Sequence, residues 1–411
     1  MSPATSHRTS NSPIPSDTTA GSSVDGVLTI GIDAAEAEGH ATGVGRYTIE
    51  IVQRWIEEGR NDRHYVIFAR RRNALPEALR LGAEVITSEA DLGVVRWQQL
   101  RLPGLLRKRP VDVLFAPAYA IPLFTRTPAA VALHDLSFER FPEEFRFKER
   151  WRRRALARLS ARRAARVLTI SEFSAIELRR LYRLPADRIS IGYPGVDRRR
   201  FRPVTSPKST NSQSTGTSSA SSARPFFLAV GTFLRRRHLD VLIRAFAKLP
   251  EPFDDHELVL VGKDRAQPPL HLPKLAERLG IADRVRLVDH VEDDELVNLY
   301  RTTDLHVSLS AYEGFGLPAA EGLAAGAPTL LLDQPVYREL WADCAHFVGA
   351  AEDGPPDAAQ VARSMEKACC STIDQQEVDE RLGTHFDWDV CAQAVDAALE
   401  RAAIAGDGAR A

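Results

Sequence analysis

Short, almost continuous apolar runs recur along this chain, each followed by an amphipathic stretch, and that alternation constrains the fold more than any other feature. The strand-length runs are 27–32, 65–69, 111–116, 129–133, 167–170 and 189–191, then 226–230, 258–261, 285–288, 305–309 and 329–332. Helical periodicity fills 46–58, 239–248, 293–301 and 318–325. Strands that are apolar on both faces and joined by helical crossovers form parallel sheets covered on both sides. Residues 205–224 interrupt the pattern with a Ser- and Thr-rich run almost devoid of apolar side chains, which cannot bury enough surface to fold. The expectation is an α/β protein of two doubly wound, Rossmann-like domains, 26–204 and 225–385, facing across a cleft. A disordered tail, 1–25, precedes them and a disordered linker, 205–224, joins them. A C-terminal helix, 386–411, follows, and its return to the first domain is left open. In such sheets ligands bind beyond the carboxyl ends of the strands, so motifs that directly follow a strand carry the functional argument.

A length of 411 residues fits two cores rather than one. A net charge of −1 argues against a dedicated nucleic-acid binder. No apolar run is long enough to span a bilayer, and the Ser/Thr/Pro-rich start has no basic-then-apolar signal pattern. The four cysteines form no CxxC pair and no cluster with metal spacing, which fits a reduced, cytoplasmic setting.

The second half carries the clearest chemistry. The run 305–309 leads into Ser310-Ala-Tyr-Glu313-Gly-Phe-Gly316 and then a helix opened by Pro318 and closed by Gly326. Glu313 is expected on the loop and Glu321 in the first turn of the helix. Gly314 and Gly316 permit close backbone approach, and the free N–H groups at the helix start can hold a phosphate. An ionised Glu321 accepts through two oxygens, which suits a pair of vicinal ribose hydroxyls. Upstream, the run 226–230 ends in Gly231-Thr-Phe-Leu-Arg235-Arg236-Arg237-His238. Guanidinium groups there can grip a diphosphate and neutralise the charge it gains on departure without a metal ion. The sole D-x-D, Asp387-Trp-Asp389, reads as a helix start, and no metal is assigned to it.

In the first half, Thr42-Gly43-Val44-Gly45-Arg46 opens a helix but lacks the third glycine of a dinucleotide fingerprint, with Thr48 in its place. A glycine-lined helix start still suits a diphosphate across the cleft. His134, at the end of the run 129–133, is a candidate for contact with sugar or acceptor hydroxyls. Ser171 reads as an N-cap. Residues 146–166 hold ten Arg or Lys against the single Glu149, with Phe147, Trp151, Ala155 and Leu159 at every fourth position. Such a helix either lies on anionic lipid or packs its stripe on its own domain; the second reading is the expected one.

These motifs together resemble the retaining GT-B glycosyltransferases of family four, also called group 1, and within it bacterial enzymes of surface-polysaccharide synthesis, many of them mannosyltransferases. The matching pieces are TGVGRYT at 42–48, HDLSFERFPE at 134–143, TISEFS at 169–174, YPGVD at 193–197 and EGFGLPAAEGLAAGAP at 313–328. The resemblance implies His134 and Glu313 as the catalytic pair. It implies a donor site of Gly43, Gly45, Arg236, Arg237, Gly314, Phe315, Gly316, Leu317 and Glu321, with Glu321 on the ribose. It implies a nucleotide-sugar donor, with GDP-mannose favoured, and a saccharide or lipid-linked acceptor; no cofactor is expected, and peripheral membrane contact through 146–166 is the alternative that the basic helix leaves open. Where the family writes G-T-x-x-P-R-K-N-L, this chain has Arg235, Arg237 and His238 in place of the proline, lysine and asparagine. That departure motivates a second reading, a catalytically silent sugar-nucleotide or glycan binder.

Overall fold

A computed structural model describes residues 26–39, 43–89, 92–203, 224–350 and 354–408. The tail 1–25 and nearly all of the linker 205–224 lie outside the described residues. Seven strands form the first sheet: β1 (Leu28–Asp33), β2 (Arg63–Ala69), β3 (Glu84–Thr87), β4 (Val113–Ala116), β5 (Ala129–Ala132), β6 (Arg166–Thr169) and β7 (Ile189–Ile191). Six form the second: β8 (Phe226–Val230), β9 (Glu257–Val261), β10 (Val285–Val288), β11 (Leu305–Ser308), β12 (Thr329–Leu332) and β13 (His346–Val348).

Every strand pair is parallel, and the orders are β3-β2-β1-β4-β5-β6-β7 and β10-β9-β8-β11-β12-β13. This is the two-domain, doubly wound GT-B plan. The central strands are apolar on both faces because helices cover both: β4, β5 and β12 are buried throughout. Strands β3 and β13 were not expected. Each is short, sits at a sheet edge and is only partly buried, so its sequence (Glu-Val-Ile-Thr, His-Phe-Val) lacks the apolar signature of the interior strands.

Strand order reverses between β1 and β4 in one sheet and between β8 and β11 in the other. Crossovers leave these points in opposite directions and open a crevice above the carboxyl ends. The helix Trp388–Gly408 packs on the first sheet and on the helix Gly43–Glu58. The Trp55 indole donates to the Ala392 carbonyl at 3.1 Å, and Asp396 accepts from Arg60 and Arg63 at 2.9–3.0 Å.

Two local expectations change. The 317–324 helix begins at Leu317, capped by Gly316 in the left-handed region (φ 86°), so Glu321 lies one turn in rather than in the first turn. The expectation that the aromatic stripe packs on its own domain is overturned. Phe147, Trp151, Ala155 and Leu159 all face solvent, while Ala157, Ser160 and Ala161 form the buried face of the helix Phe147–Arg163. Small side chains let that helix sit close to the domain, leaving no room beneath it for the bulky residues.

Candidate functional site at the cleft between the two sheets

The loops that follow β8 and β11 meet above the switch point of the second sheet. Ala311 N donates to Arg236 O at 2.8 Å, which ties the arginine turn to the Ser310–Gly316 loop. Arg237 folds back over its own strand, with Nη1 on the Val230 carbonyl at 3.1 Å and Nη2 3.0 Å from Glu313 Oε1. The Ser310 hydroxyl donates to the same Glu313 oxygen at 2.9 Å. Glu313 and Arg237, expected at the sugar and at the diphosphate, are thus brought together. His238, at the position where the family pattern has asparagine, adopts φ 48°. Polar residues such as Asn and His tolerate that left-handed geometry better than branched ones.

Arg236 is placed differently from a cation open to a ligand. It is 8% exposed. Its backbone N–H donates to Glu144 Oε1 at 2.9 Å, its guanidinium pairs with Glu144 Oε2, and its Nε reaches the Tyr312 carbonyl at 3.3 Å. Glu144 belongs to the first domain, so this ion pair bridges the cleft. Tyr312 completes the bridge from the other side, its hydroxyl accepting from Leu136 N at 3.0 Å. Glu339 adds a further tie. Its carboxylate accepts from the N–H groups of Glu172 and Phe173 at 2.8 and 2.7 Å, at the positive start of the helix Glu172–Tyr182.

His134 lies where the two domains touch, directly after β5. Its Nε2 is 2.7 Å from the Pro117 carbonyl, which can only accept, so Nε2 carries the proton and Nδ1 is the acceptor. Burial lowers its pKa below the usual 6.5, against the opposing pull of Pro117 and Asp135, which leaves the ring neutral at pH 7. The Tyr47 ring stands edge-on at 4.7 Å. Gly314 packs against the His134 carbonyl so closely that a Cβ there would lie 2.2 Å from the oxygen. Ser174, two residues past the Glu172 helix start, donates to that carbonyl at 3.2 Å, and Ser171 caps the helix as expected by accepting from Ser174 N at 3.1 Å.

Glu321 is 6% exposed and faces the first domain, where Arg46 Nη1 meets its Oε1 at 3.0 Å. Burial pushes the Glu321 carboxyl up to about 7, and Arg46 pulls in the other direction. Of the remaining expected donor residues, Gly43 is exposed at its helix start and Gly45 is buried. Phe315 is 2% exposed and packs on Phe386 and Trp341 at 5.3 and 6.5 Å between ring centres. Its side chain therefore supports the loop from below, while Leu317 is half-buried at the helix start.

Four residues of this site escaped the sequence reading: Arg46, Glu144, Tyr312 and Glu339. Arg46 and Glu144 sit in or beside motifs that were noticed (TGVGRYT, HDLSFERFPE), but their partners are far away in sequence, and only the tertiary fold pairs them.

Two profiles match the chain: "Glycosyltransferase Family 4" over residues 41–200 and "Glycosyl transferases group 1" over 215–382. The chain belongs to the group 1, family 4 glycosyltransferases. Among curated relatives it is similar to D-inositol 3-phosphate glycosyltransferase 2 of Catenulispora acidiphila, 38% identical over 41% of this chain and 40% of the relative. It is also similar to the O-antigen chain mannosyltransferase RfbU of Salmonella typhimurium, 25% identical over 62% and 65%. The match thus spans less than two thirds of either relative's length. Among solved structures, a sucrose-phosphate synthase from Thermosynechococcus elongatus superposes with a TM-score of 0.70 at 17% identity, over 90% of this chain and 97% of that one. HepE of Anabaena, in complex with UDP and glucose, superposes at 0.67 and 18%, over 91% and 99%. At such identities these two structures speak to the GT-B fold alone. Among the described residues no helix is long and apolar enough to cross a membrane.

Proposed function

We propose that this protein is a retaining hexosyltransferase that takes its sugar, with mannose favoured, from a nucleotide diphosphate donor such as GDP-mannose. The acceptor is a saccharide or lipid-linked saccharide of surface-polysaccharide synthesis. The observation that carries this reading is the E-x₇-E segment at the switch point of the second sheet, with buried Glu321 on one side and Glu313 against Arg237 on the other.

In this mechanism Glu321 accepts the ribose hydroxyls, and the N–H groups at the Leu317 helix start and Arg237 take the diphosphate. The bond between the anomeric carbon and the β-phosphate oxygen breaks, and its electron pair leaves with the diphosphate. The acceptor oxygen bonds to the same face of the sugar, and its proton passes to an oxygen of the departing phosphate. Glu313 faces the positive charge that develops on the sugar, while Arg237 offsets the charge on the leaving group; Arg236, paired with Glu144, fixes the turn that carries Arg237. Neutral His134 orients hydroxyls through Nδ1. No step requires a protein nucleophile or a metal ion.

Placement at the inner face of a membrane fits the helix Phe147–Arg163. Its solvent side combines Phe147 and Trp151 with a dense set of arginines, the composition that anionic lipid attracts. Glu313→Gln and Arg236→Ala should each lower donor hydrolysis or transfer by at least ~10²-fold; near-normal rates in both would overturn the assignment. A second reading rests on the burial of Arg236 against Glu144: a cation committed to a protein partner leaves a sugar-nucleotide binder without turnover. Calorimetric binding with no product across donor and acceptor panels would favour it.

A further inference from the structure

The charged groups expected to meet a donor are already paired within the protein. Glu313 faces Arg237, Arg236 faces Glu144, and Glu321 faces Arg46. The first of these pairs lies within one domain, and the second locks two loops together. The third differs because Arg46 is still partly exposed, with 29% of its side chain open to solvent. Only Nη1 engages Glu321. Its Nε stands 3.7 Å from Glu50 Oε1, longer than a hydrogen bond, and Nη2 donates to no described residue. The guanidinium carbon lies 6.0 Å from the ring centre of Phe201, at the outer limit of a cation–π contact. Arg46 also projects from the first turn of the helix Gly43–Glu58, and among the described residues nothing lies within 4 Å of a Cβ added at Gly43.

We infer that Arg46 is a donor-binding residue that holds the ribose carboxylate while the site is empty and transfers to the diphosphate when a nucleotide enters. The inference rests on Glu321 being the ribose-binding carboxylate. Two vicinal hydroxyls arriving at Glu321 compete with Arg46 for Oε1, the oxygen it holds. A released guanidinium in a partly buried cleft requires a new anion. The ligand that displaces Arg46 carries that anion with it, and the helix start beside it already favours negative charge. Exchange of one ion pair for another keeps Glu321 and Arg46 each partnered at both ends of the process. Arginine suits the second role because its planar fork grips phosphate oxygens through two nitrogens at once.

The test compares nucleotides with and without phosphates. Calorimetry with UDP and GDP, and with uridine and guanosine, is performed on the full chain and on Arg46→Ala and Arg46→Lys. The expected result in Arg46→Ala is a loss of about tenfold or more in affinity for the diphosphate that the wild type binds, the scale of one charge-assisted contact. The matching nucleoside should lose little or gain, because its hydroxyls no longer compete with Arg46. Arg46→Lys should recover part of the diphosphate affinity. Equal losses for diphosphate and nucleoside would overturn the inference and leave Arg46 as a support for Glu321 or for cleft closure, and so would an unchanged diphosphate affinity. If the wild type binds neither UDP nor GDP while Glu321→Gln behaves identically, the underlying site reading fails instead.

Discussion

Gly314→Ala separates positioning across the cleft from donor binding within one domain. The backbone of Gly314 lies outside the left-handed region, so alanine costs nothing in local conformation and even reduces the entropy of the unfolded chain. The penalty comes from across the cleft. The new Cβ would sit 2.2 Å from the His134 carbonyl oxygen and 3.1 Å from both its carbonyl carbon and Ile170 Cδ1. Ordinary contact begins near ~3.5 Å, so the loop and the β5 end must part by roughly 1 Å. The obstacle is backbone, which cannot swing aside as a flexible side chain would. Glu321, Arg237 and the helix start proposed to receive the donor all move with the second domain, whereas His134 and Arg46 stay with the first. The variant should therefore keep the diphosphate contacts made by the second domain and lose at most the share that Arg46 adds, about tenfold in affinity. Its transfer rate should fall by ~10²-fold, the usual consequence of a misplacement of about 1 Å between reacting groups. Steady-state transfer alongside calorimetry reads both quantities, and circular dichroism confirms the fold. Transfer at the wild-type rate in folded protein would refute the closed cleft as the reacting arrangement.

Other expectations follow from the same contacts. Glu144→Ala leaves Arg236 buried without its carboxylate and should cost about 3–5 kcal/mol, read by denaturant unfolding. An unchanged midpoint would mean that the cross-cleft pair contributes nothing. Burial holds the Glu321 carboxyl up to about 7, above its usual 4.5, so the folded state keeps a proton that the unfolded chain releases. Stability should therefore fall as pH rises through that window, while affinity for a nucleoside should rise as the carboxylate forms. Glu321→Gln should flatten both trends, apart from the slope left by Asp33, which burial likewise raises, to about 6. If Phe147 and Trp151 engage lipid, replacing both with serine should abolish co-sedimentation with anionic vesicles, and retention would place the contact elsewhere.

Much of this architecture was legible in the residues because interior parallel strands are written in apolar runs and their crossovers in a helical period. Strand β4 and strand β11 announce themselves in this way, and so does the Glu313–Gly316 loop after β11. Strands β3 and β13 did not, since an edge strand needs only a few apolar residues on one side. The site divides along the same line. Carboxylates and glycines close together in sequence, such as Glu313 and Glu321, carry a local signal. Partnerships such as Glu144 with Arg236 depend on how two domains dock, and nothing in the neighbouring residues encodes them. The stripe at Phe147, Trp151, Ala155 and Leu159 shows the opposite error: its periodicity is real, but periodicity alone does not say which face is buried. There the small residues Ala157, Ser160 and Ala161 decide it.

Whether a sugar nucleotide binds at Glu321 decides the function of this cleft. Titration calorimetry of a panel of nucleotide diphosphate sugars, GDP-mannose and UDP-glucose among them, against the full chain and Glu321→Ala puts this to the test. At least one donor should bind the wild type, and its affinity should drop by about tenfold or more in the variant, as expected for removal of a charged partner from hydrogen-bonded hydroxyls. Binding of equal strength in both proteins, or no donor bound by the wild type, would contradict the assignment of this cleft as a sugar-nucleotide site.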